Sequence, residues 1–251
     1  MTDDPGLLRK DARRIAGMFD AIAPRYDTLN HLLSAGFDRR WRTRAIDALG
    51  LTGRETVVDL CTGTGDLALS AIRDPAARAR RVVGIDFAGA MLRLGAEKQQ
   101  RHPAGASLRL MRGDASRIPL ADASADAVTI GFGIRNVEDP QEACREIHRI
   151  LRPGGQLAIL EFGMPSTAAL RGLYRWYFTR LLPRVGRLVS RHAEAYAYLP
   201  ASVSAFLSPT ALSDLLAASG FEDVRAIPLT CGVVYLHLAT RRGDQGAAII
   251  V

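Results

Sequence analysis

The most constraining feature of this chain is a glycine turn between a β-branched run and a helical segment. The run Thr56–Leu60 predicts a buried strand, Gly63 and Gly65 follow it, and a helix is predicted from residue 65 onward. Glycine permits both the sharp turn and the close approach of a ligand to the backbone. Such a turn presents backbone N–H groups at a helix N-terminus, which is how α/β sheets bind nucleotide-like cofactors.

An acidic residue at the end of the second predicted strand indicates a ligand that carries a ribose. Asp86 follows the glycine turn by roughly 20 residues, and a carboxylate there accepts hydrogen bonds from a ribose diol. The spacing Gly63-x-Gly65-x-x-Ala68 fits a dinucleotide-dependent dehydrogenase as well as a protein that binds S-adenosylmethionine. Asp59 within the first strand, and the order Asp-Leu-Cys-Thr-Gly-Thr-Gly that it begins, favour a methyltransferase.

Predicted strands and helices alternate from residue 56 onward, which is typical of an α/β fold with a mostly parallel sheet and helices on both faces. The predicted strands are 56–60, 81–86, 107–112, 125–131, 155–161, 222–229 and 232–240. The predicted helices among them are 65–73, 88–100, 139–151 and 211–219. Because no internal repeat or linker divides the chain, we expect 1–251 to form a single domain.

The segment 9–50 lies outside this alternation and is predicted to be an N-terminal helical cap. Pro24 is predicted to end its first helix. Tyr26 and Asn30 are one helical turn apart, so their side chains share a face. The segment either packs against the edge of the sheet or forms a lid over an active site, and periodicity alone favours the first arrangement.

A second segment, 166–205, interrupts the alternation with a mixture of aromatic and arginine residues. Tyr174 and Trp176, for example, stand beside Arg171 and Arg175. An amphipathic helix of this composition either lies on a membrane surface or packs on the core with one solvated face. The pattern alone favours the core-packing helix.

Composition narrows the classes of function. The formal net charge is +7, but the arginines are spread along the chain and no RNA-binding signature occurs, so nucleic acid is not an expected partner. Cys61, Cys144 and Cys231 are far apart, which predicts reduced thiols and a cytoplasmic location. The histidines lack the spacing of metal ligands, so no metal is expected. We expect no signal segment at the N-terminal residues 1–5, and no apolar run approaches the roughly 20 residues of a transmembrane helix.

Longer motifs resemble the quinone C-methyltransferase family, which methylates the ring in ubiquinone and menaquinone biosynthesis. The most specific are the segment 18–27 with Asn30 and the Gly-Phe-Gly-Ile-Arg-Asn-Val segment at 131–137. The other similar segments are 59–66, 151–155, 161–162, 196–203 and 229–234. The resemblance covers nearly the whole chain. It implies a class I, Rossmann-like methyltransferase fold, with a seven-stranded, mostly parallel sheet whose last strand is antiparallel.

The resemblance also implies S-adenosylmethionine as the cofactor. Asp86 is then expected to bind the ribose, and Asp114 with Ala115 the adenine, although an ordinary turn aspartate is the alternative for Asp114. Gly131 stands where relatives often carry serine, so one side-chain contact to the cofactor is expected to be absent. The candidate cofactor-binding residues are Asp59, Gly63, Thr64, Gly65, Asp86, Phe87, Met91, Asp114, Ala115 and Gly131.

Three candidate catalytic residues follow from the resemblance: Tyr26, Arg135 and Asn136 are expected to face the quinol. A ring carbon of a hydroquinone becomes a strong nucleophile when a hydroxyl loses its proton, so the site needs a proton acceptor, oriented donors and a dry pocket. Arginine does not readily lose a proton. Arg135 is therefore expected to act through a water or to stabilise the phenolate, and the alternative is a structural ion pair with Asp27 or Glu161.

The expected substrate is demethylmenaquinol, whose isoprenoid tail implies contact of a cytoplasmic protein with the inner face of the membrane. With such a substrate, 166–205 becomes a candidate lid, and for the amphipathic stretch 170–182 the membrane-surface helix becomes as well supported as the core-packing helix. The alternatives are a ubiquinone precursor, another aromatic metabolite, and a non-catalytic member that binds cofactor or quinone. A homodimer is left open. Departures from the family pattern lie at 191–193, Ala197 and 206–208, and they leave the identity of the quinone least determined.

Overall fold

The computed structural model describes residues 11–72, 79–165, 167, 170–172, 174 and 193–243. Helices α1 (Ala12–Leu33) and α2 (Phe37–Ala48) precede the sheet. The strands are β1 (Thr56–Leu60), β2 (Arg81–Asp86), β3 (Leu108–Arg112), β4 (Ala125–Gly131), β5 (Leu151–Phe162), β6 (Phe221–Leu229) and β7 (Val234–Arg241). The later α-helices in the described part are α3 (Asp66–Ser70), α4 (Gly89–Arg101), α5 (Pro140–Ile150), α6 (Ala193–Ala205) and α7 (Pro209–Ala218).

The strands form one seven-stranded sheet in the order β3-β2-β1-β4-β5-β7-β6. Strand β7 runs antiparallel to both of its neighbours, and the other pairs are parallel, which confirms the predicted fold class. Because β1 pairs with β2 on one side and β4 on the other, the connections that leave β1 and β4 diverge. The carboxyl ends of these two strands therefore border a crevice, which is where ligands bind in open α/β sheets.

Helices cover both faces of the sheet and hold the strand ends in place. Helices α5 and α7 pack on one face, where Ile147 and Leu216 are fully buried. Helices α2 and α3 pack on the other face, where Trp41 and Leu67 are buried. Each such aliphatic side chain stabilises the fold by about 2 kcal/mol relative to an exposed position. The crevice thus lies at the edge of a rigid three-layer core.

The predicted strand bounds agree with the structure to within two residues, except at the start of β5. This strand begins at Leu151 rather than at residue 155, because Leu151 pairs with Ala125 ahead of an irregularity in the ladder. Helix α3 ends at Ser70, which is earlier than predicted. Local sequence patterns therefore predicted the strands well. The exception is β5, which is longer than predicted because its first residue pairs with β4.

The prediction that Pro24 ends the first helix is wrong, because α1 continues through Pro24 to Leu33. A proline inside a helix costs about 3 kcal/mol through its missing N–H and its steric clash. Pro24 is exposed, so the lost hydrogen bond occurs at a position open to water. The adjacent Ala23 is buried against Met91 and Ala88 of the α4 region, and this packing supports the helix on its inner side.

Much of the segment 166–205 lies outside the described residues, including most of the predicted amphipathic stretch 170–182. Its described part contains α6, in which Tyr198 is buried, and the isolated buried residue Tyr174. Within the described ranges, no single helix is both long and apolar enough to cross a membrane. The pair Tyr198–Ala205 and Pro209–Ala218, bent by 61°, meets those two criteria only when its members are taken together.

Candidate active site

The glycine turn lies at the carboxyl end of β1 and borders the crevice. Gly63 and Gly65 have φ values of +56° and +81°, which residues with a side chain rarely adopt. The backbone N–H of Gly63 donates to one oxygen of Asp86 at 2.8 Å. The other oxygen of Asp86 accepts from the backbone N–H of Ala88, also at 2.8 Å. One buried carboxylate therefore joins the loop after β1 to the loop after β2.

Two buried carboxylates determine the charge of this side of the crevice. Burial raises the pKa of Asp86, and it raises the pKa of Asp59 to about 6. The hydroxyls of Thr62 and Thr129 donate to Asp59 at 2.5 and 2.7 Å. Neither carboxylate forms an ion pair with another described residue, and no metal-binding group of three or more His, Cys, Asp or Glu side chains occurs in the described ranges. A bound cation would therefore meet two carboxylates that form no ion pair with the basic side chains of the described residues.

Two adjoining cavities occupy the crevice, with volumes of about 280 Å³ and about 30 Å³. They have six wall residues in common: Phe19, Tyr26, Cys61, Gly63, Gly131 and Phe132. The smaller cavity also contacts Asp86, Phe87 and Met91. Most of the wall of the larger cavity is apolar. The crevice can therefore hold a polar ligand beside an apolar one.

The wall of the larger cavity contains Arg135, which belongs to the short 3-10 turn Ile134–Asn136 after β4. Its guanidinium donates to Glu161 of β5 at 2.9 Å and also to the carbonyl of Phe132. Both charged side chains are buried, and the guanidinium lies 5.3 Å from the ring centre of Phe162. The Nε of Arg135 is buried without a hydrogen-bond partner among the described residues. Arg135 is thus a fixed cation whose Nε–H is still unused.

The sequence left Asp27 and Glu161 as alternative ion-pair partners of Arg135. In the structure, Arg135 pairs with Glu161 and not with Asp27. Asp27 instead accepts a hydrogen bond from the hydroxyl of Thr64 at 2.6 Å and pairs with Lys98 at 2.5 Å. Lys98 also contacts Asp66 at 2.6 Å. These contacts connect α1 and α4 to the glycine turn. Arg135 therefore has a structural role in its ion pair with Glu161, and it also lies in the wall of the larger cavity.

Tyr26 and Asn30 both line the larger cavity, because the continuation of α1 beyond Pro24 carries them there. Tyr26 lies edge-on to Phe19, with 6.0 Å between ring centres. Burial raises the pKa of Tyr26, although a hydrogen bond with Asn30 opposes this effect. The phenol therefore stays neutral at physiological pH and can act as a hydrogen-bond donor.

The structure brings together most of the candidate cofactor-binding residues and leaves a few outside the cavity walls. The residues that line one or both cavities are Asp59, Gly63, Thr64, Asp86, Phe87, Met91 and Gly131. Gly65 is the N-cap of α3 and is not part of either wall. Asp114 is exposed and accepts from the backbone N–H of Ser116 at 2.8 Å, as a turn aspartate does, while Ala115 is buried. Contact of Asp114 and Ala115 with an adenine stays a prediction.

Close packing surrounds Gly131. A Cβ atom at this position would lie 3.1 Å from Cδ2 of Leu67, which is closer than most such contacts. A serine here would therefore require a small movement of Leu67. The glycine leaves this part of the shared cavity wall to backbone atoms alone.

The sequence alone assigned no role to Tyr198 or Lys98, which contact candidate site residues. The hydroxyl of Tyr198, on α6, donates to Oδ1 of Asn136 at 3.1 Å, and both side chains are buried. Tyr198 lies within the similar segment 196–203, so that motif was the signal that could have revealed it. Lys98 belongs to no motif, and its contacts with Asp27 and Asp66 arise only when α1, α3 and α4 come together.

A sequence model of the ubiE/COQ5 methyltransferase family matches residues 8–241 of the chain. Among curated relatives, the chain is 47% identical over 224 residues to a protein of Thermus thermophilus named demethylmenaquinone methyltransferase. This match covers 89% of the present chain and all of the relative. The chain is 43% identical to a ubiquinone/menaquinone biosynthesis C-methyltransferase of a Geobacter species, over 93% of its own length and 99% of that relative.

Solved structures share the fold at lower sequence identity. A Thermotoga maritima protein described as a SAM-dependent methyltransferase, possible histamine N-methyltransferase, has a TM-score of 0.62 and 19% identity, covering 90% of this chain and 99% of that one. The [4+2]-cyclase SpnF also has a TM-score of 0.62, with 17% identity and coverage of 92% and 96%. These similarities establish the fold alone, since proteins with different reactions share it.

Proposed function

The chain belongs to the ubiE/COQ5 methyltransferase family, and from this premise we propose that it methylates a ring carbon of demethylmenaquinol with S-adenosylmethionine as the methyl donor. The observation that carries the proposal is the buried Arg135, which is held by Glu161 in the wall of an apolar cavity beside the glycine turn. This cavity suits an aromatic ring. The guanidinium suits an oxygen of that ring that becomes negative during the reaction.

The residues around the glycine turn fit the cofactor. S-adenosylmethionine, when bound, supplies a methyl group attached to a positively charged sulfonium. Asp86 and the turn at Gly63 would hold it, with Phe87 and Met91 beside them. At neutral pH, Asp59 is ionised because its pKa is about 6, and it lines the same crevice. The two carboxylates therefore favour a cation on this side of the crevice.

The residues of the larger cavity would prepare the quinol to attack the methyl group by assisting the loss of a hydroxyl proton and then stabilising the negative charge that this loss creates. Arg135 remains protonated, so it cannot accept the hydroxyl proton itself. Glu161 is committed to the ion pair with Arg135. The proton therefore passes to a water held beside Arg135, and the phenolate that remains is stabilised by the guanidinium and by the neutral hydroxyl of Tyr26. The apolar wall limits the access of other water, which would weaken these interactions.

The isoprenoid tail of the substrate would leave the ring along an apolar part of the wall. Leu33, Leu199 and Val233 pack around the buried Tyr174 at one part of this cavity. A tail that lies against these side chains would remove apolar surface from water, at about 25 cal/mol for each Å² buried. This arrangement would add affinity without changing the reacting ring.

The choice of demethylmenaquinol follows the name of the Thermus relative, and the name of the Geobacter relative favours a ubiquinone precursor as the second candidate. The two quinols require the same chemistry at the ring carbon. They differ in ring size, since the naphthalene system is larger than the benzene ring. The proposal therefore predicts a preference that a direct comparison of the two substrates measures.

The deciding experiment is a turnover assay with S-adenosylmethionine that carries a labelled methyl group. Purified protein is mixed with a short-tail demethylmenaquinol or a short-tail ubiquinone precursor, each with and without a reductant. We expect label in the naphthoquinol and only under reducing conditions, because the oxidised ring has no hydroxyl to deprotonate. Label in the ubiquinone precursor alone would move the assignment to that pathway. Label in neither, with S-adenosylmethionine still bound, would overturn the quinone proposal.

A further inference from the structure

The wall of the larger cavity has a polar part that the smaller cavity does not share. Arg42 of α2 lies there together with Asp38, Thr64 and Asp66. The side chain of Arg42 is only 10% exposed. Its nitrogen Nη1 lies 2.6 Å from Asp38 and 3.3 Å from Asp66, the first residue of α3. A buried cation is therefore fixed beside the glycine turn.

Arg42 retains hydrogen-bond donors that its carboxylate partners do not use. A guanidinium has five N–H groups, and both carboxylate contacts of Arg42 are made by Nη1. Neither Nε nor Nη2 forms a hydrogen bond with another residue in the described part of the chain. These two nitrogens form one edge of the guanidinium, and such an edge binds a carboxylate through two parallel hydrogen bonds. Arg42 can therefore bind an anionic group without releasing Asp38 or Asp66.

The neighbouring cation, Lys98, has no such unused donors. An ammonium group has three N–H donors, and that of Lys98 lies 2.5 Å from Asp27 and 2.6 Å from Asp66. Its third contact is with the hydroxyl oxygen of Thr64 at 2.9 Å. Lys98 is also absent from both cavity walls. The protein itself therefore occupies every donor of this ammonium.

Among the described residues, the only basic side chains in the two cavity walls are Arg42 and Arg135. Arg135 pairs with Glu161, and its remaining donor is assigned to the oxygen of the quinol. Arg42 is therefore the basic side chain that remains for a second anionic group in the crevice.

S-adenosylmethionine contains one anionic group, the carboxylate of its amino-acid part. The sulfur lies between this part and the ribose, so the carboxylate and the ribose are at opposite sides of the sulfonium. In the crevice, Asp86 lines only the smaller cavity, Arg42 lines only the larger one, and Gly63 lies in both walls. A cofactor with its ribose at Asp86 would pass Gly63 and extend its amino-acid part into the cavity that contains Arg42.

We propose that Arg42 binds the carboxylate of S-adenosylmethionine through its Nε and Nη2 groups. Asp38 is then a positioning residue, because its contact with Nη1 fixes the guanidinium. The inference rests on the cofactor of the proposed function and assigns a residue to a part of that cofactor which Asp86 does not reach. It also makes α2, which precedes the sheet, a part of the cofactor site.

The test compares two ligands that differ only in the carboxylate, S-adenosylmethionine and decarboxylated S-adenosylmethionine. Both ligands retain the adenosine, the sulfonium and the ammonium. Calorimetry measures the Kd of each for wild type and for Arg42→Lys, since lysine keeps the charge but lacks the planar edge. We expect wild type to prefer S-adenosylmethionine by about 10-fold. In Arg42→Lys this preference is expected to fall to about 3-fold, through weaker binding of S-adenosylmethionine alone.

Two further variants and a third ligand guard against loss of structure. Arg42→Gln removes the charge and is expected to abolish the preference without weakening the decarboxylated ligand. Arg44→Gln changes an exposed arginine of the same helix, outside both cavity walls, and is expected to keep the wild-type preference. The third ligand, 5′-methylthioadenosine, lacks the amino-acid part, so its Kd reports whether the crevice has folded. If Arg42→Gln no longer binds it, Arg42→Lys, which can keep the ion pairs, decides the question.

The outcomes separate this inference from the proposed function. Equal affinity of wild type for the two ligands overturns the role of Arg42, and so does a preference that survives in both Arg42 variants. In the second case, loss of the preference in Arg135→Met with Glu161→Gln would assign the carboxylate to Arg135. Loss of the preference in the Arg42 variants, with an unchanged Kd for 5′-methylthioadenosine, supports the inference.

Failure of wild type to bind any of the three ligands would overturn the cofactor itself and this inference with it. Absence of methyl transfer to either quinol, with the preference for the carboxylate intact, would overturn only the proposed reaction. The binding measurements need no quinol, so the role of Arg42 is decided independently of turnover.

Discussion

The two sides of the crevice are built in different ways. The side at the ends of β1 and β2 uses neighbouring residues and backbone groups, as in the hydrogen bond from Gly63 N–H to Asp86. The other side uses single side chains from distant elements, such as Arg135 with Glu161 and Asn136 with Tyr198. The first construction is local and depends on a short motif. The second exists only after α1, β4, β5 and α6 have come together.

The two sides also differ in charge. Asp59 and Asp86 accept hydrogen bonds from hydroxyls and backbone N–H groups, and neither pairs with a basic side chain among the described residues. Arg135 and Glu161, in contrast, form a neutral pair in which the cation retains a free donor. A sulfonium suits the first side and a phenolate the second. This difference agrees with our proposal that each wall is complementary to the charge of one reactant.

The largest expected effect comes from removal of the charge pair on the quinol side. Arg135→Met together with Glu161→Gln removes both charges, since Arg135→Met alone would leave a buried carboxylate unpaired at a cost of about 3–5 kcal/mol. We expect kcat for the quinol to fall by about 1,000-fold, because stabilisation of the developing charge is lost. Calorimetry is expected to find unchanged affinity for S-adenosylmethionine. Equal loss of both quantities would show that the two sides are not separable.

An effect of intermediate size is expected for the buried Asp59 on the cofactor side. Its pKa of about 6 in the folded protein lies above the ordinary value of 3.8, so between these values the folded state binds more proton than the unfolded state. The free energy of unfolding should therefore fall as the pH rises from about 4 to about 6, by about 3 kcal/mol in all. Chemical denaturation of wild type and Asp59→Asn across this range measures the difference between their slopes.

The Asp59→Asn variant serves as its own control for other titrating groups. The amide keeps partners for the hydroxyls of Thr62 and Thr129, since each hydroxyl can donate or accept. Asp86, whose pKa is also raised by burial, still contributes to the slope of both proteins. Identical pH profiles for wild type and variant would contradict the assignment of this charge to Asp59.

The smallest of the three effects is expected for Asp86→Asn. The amide can retain one backbone hydrogen bond but loses the charge, and hydrogen bonds to a charged group contribute about 1.5–3 kcal/mol. We expect the affinity for S-adenosylmethionine to fall by about 30-fold, with kcat at saturating cofactor within about 3-fold of wild type. Asp122→Asn, at an exposed carboxylate far along the chain, is the matched control. A variant that loses kcat and keeps its affinity would reverse the assignment of the two sides.

Local patterns in the sequence predicted the strands, the glycine turn and the place of Asp86, because each depends on residues close in sequence. The resemblance added Arg135, Asn136 and Tyr26, all of which lie in the cavity walls. The pattern was wrong at Pro24, where tertiary packing of Ala23 on α4 outweighs the tendency of proline to end a helix. It also left two partners open for Arg135, and the position of β5 beside β4 selects Glu161.

The sequence by itself determined the α/β fold, the glycine turn and the family, since hydrophobic alternation, glycine spacing and contiguous motifs are properties of neighbouring residues. Only the tertiary structure decided that Asp27 pairs with Lys98, that Glu161 pairs with Arg135, and that the hydroxyl of Tyr198 contacts Asn136. Such pairs depend on strand order and on the docking of helices, which bring side chains from separate segments to within hydrogen-bond distance. The spacing of residues along the chain does not predict these contacts, because the side chains come from distant segments and are brought together only by the fold.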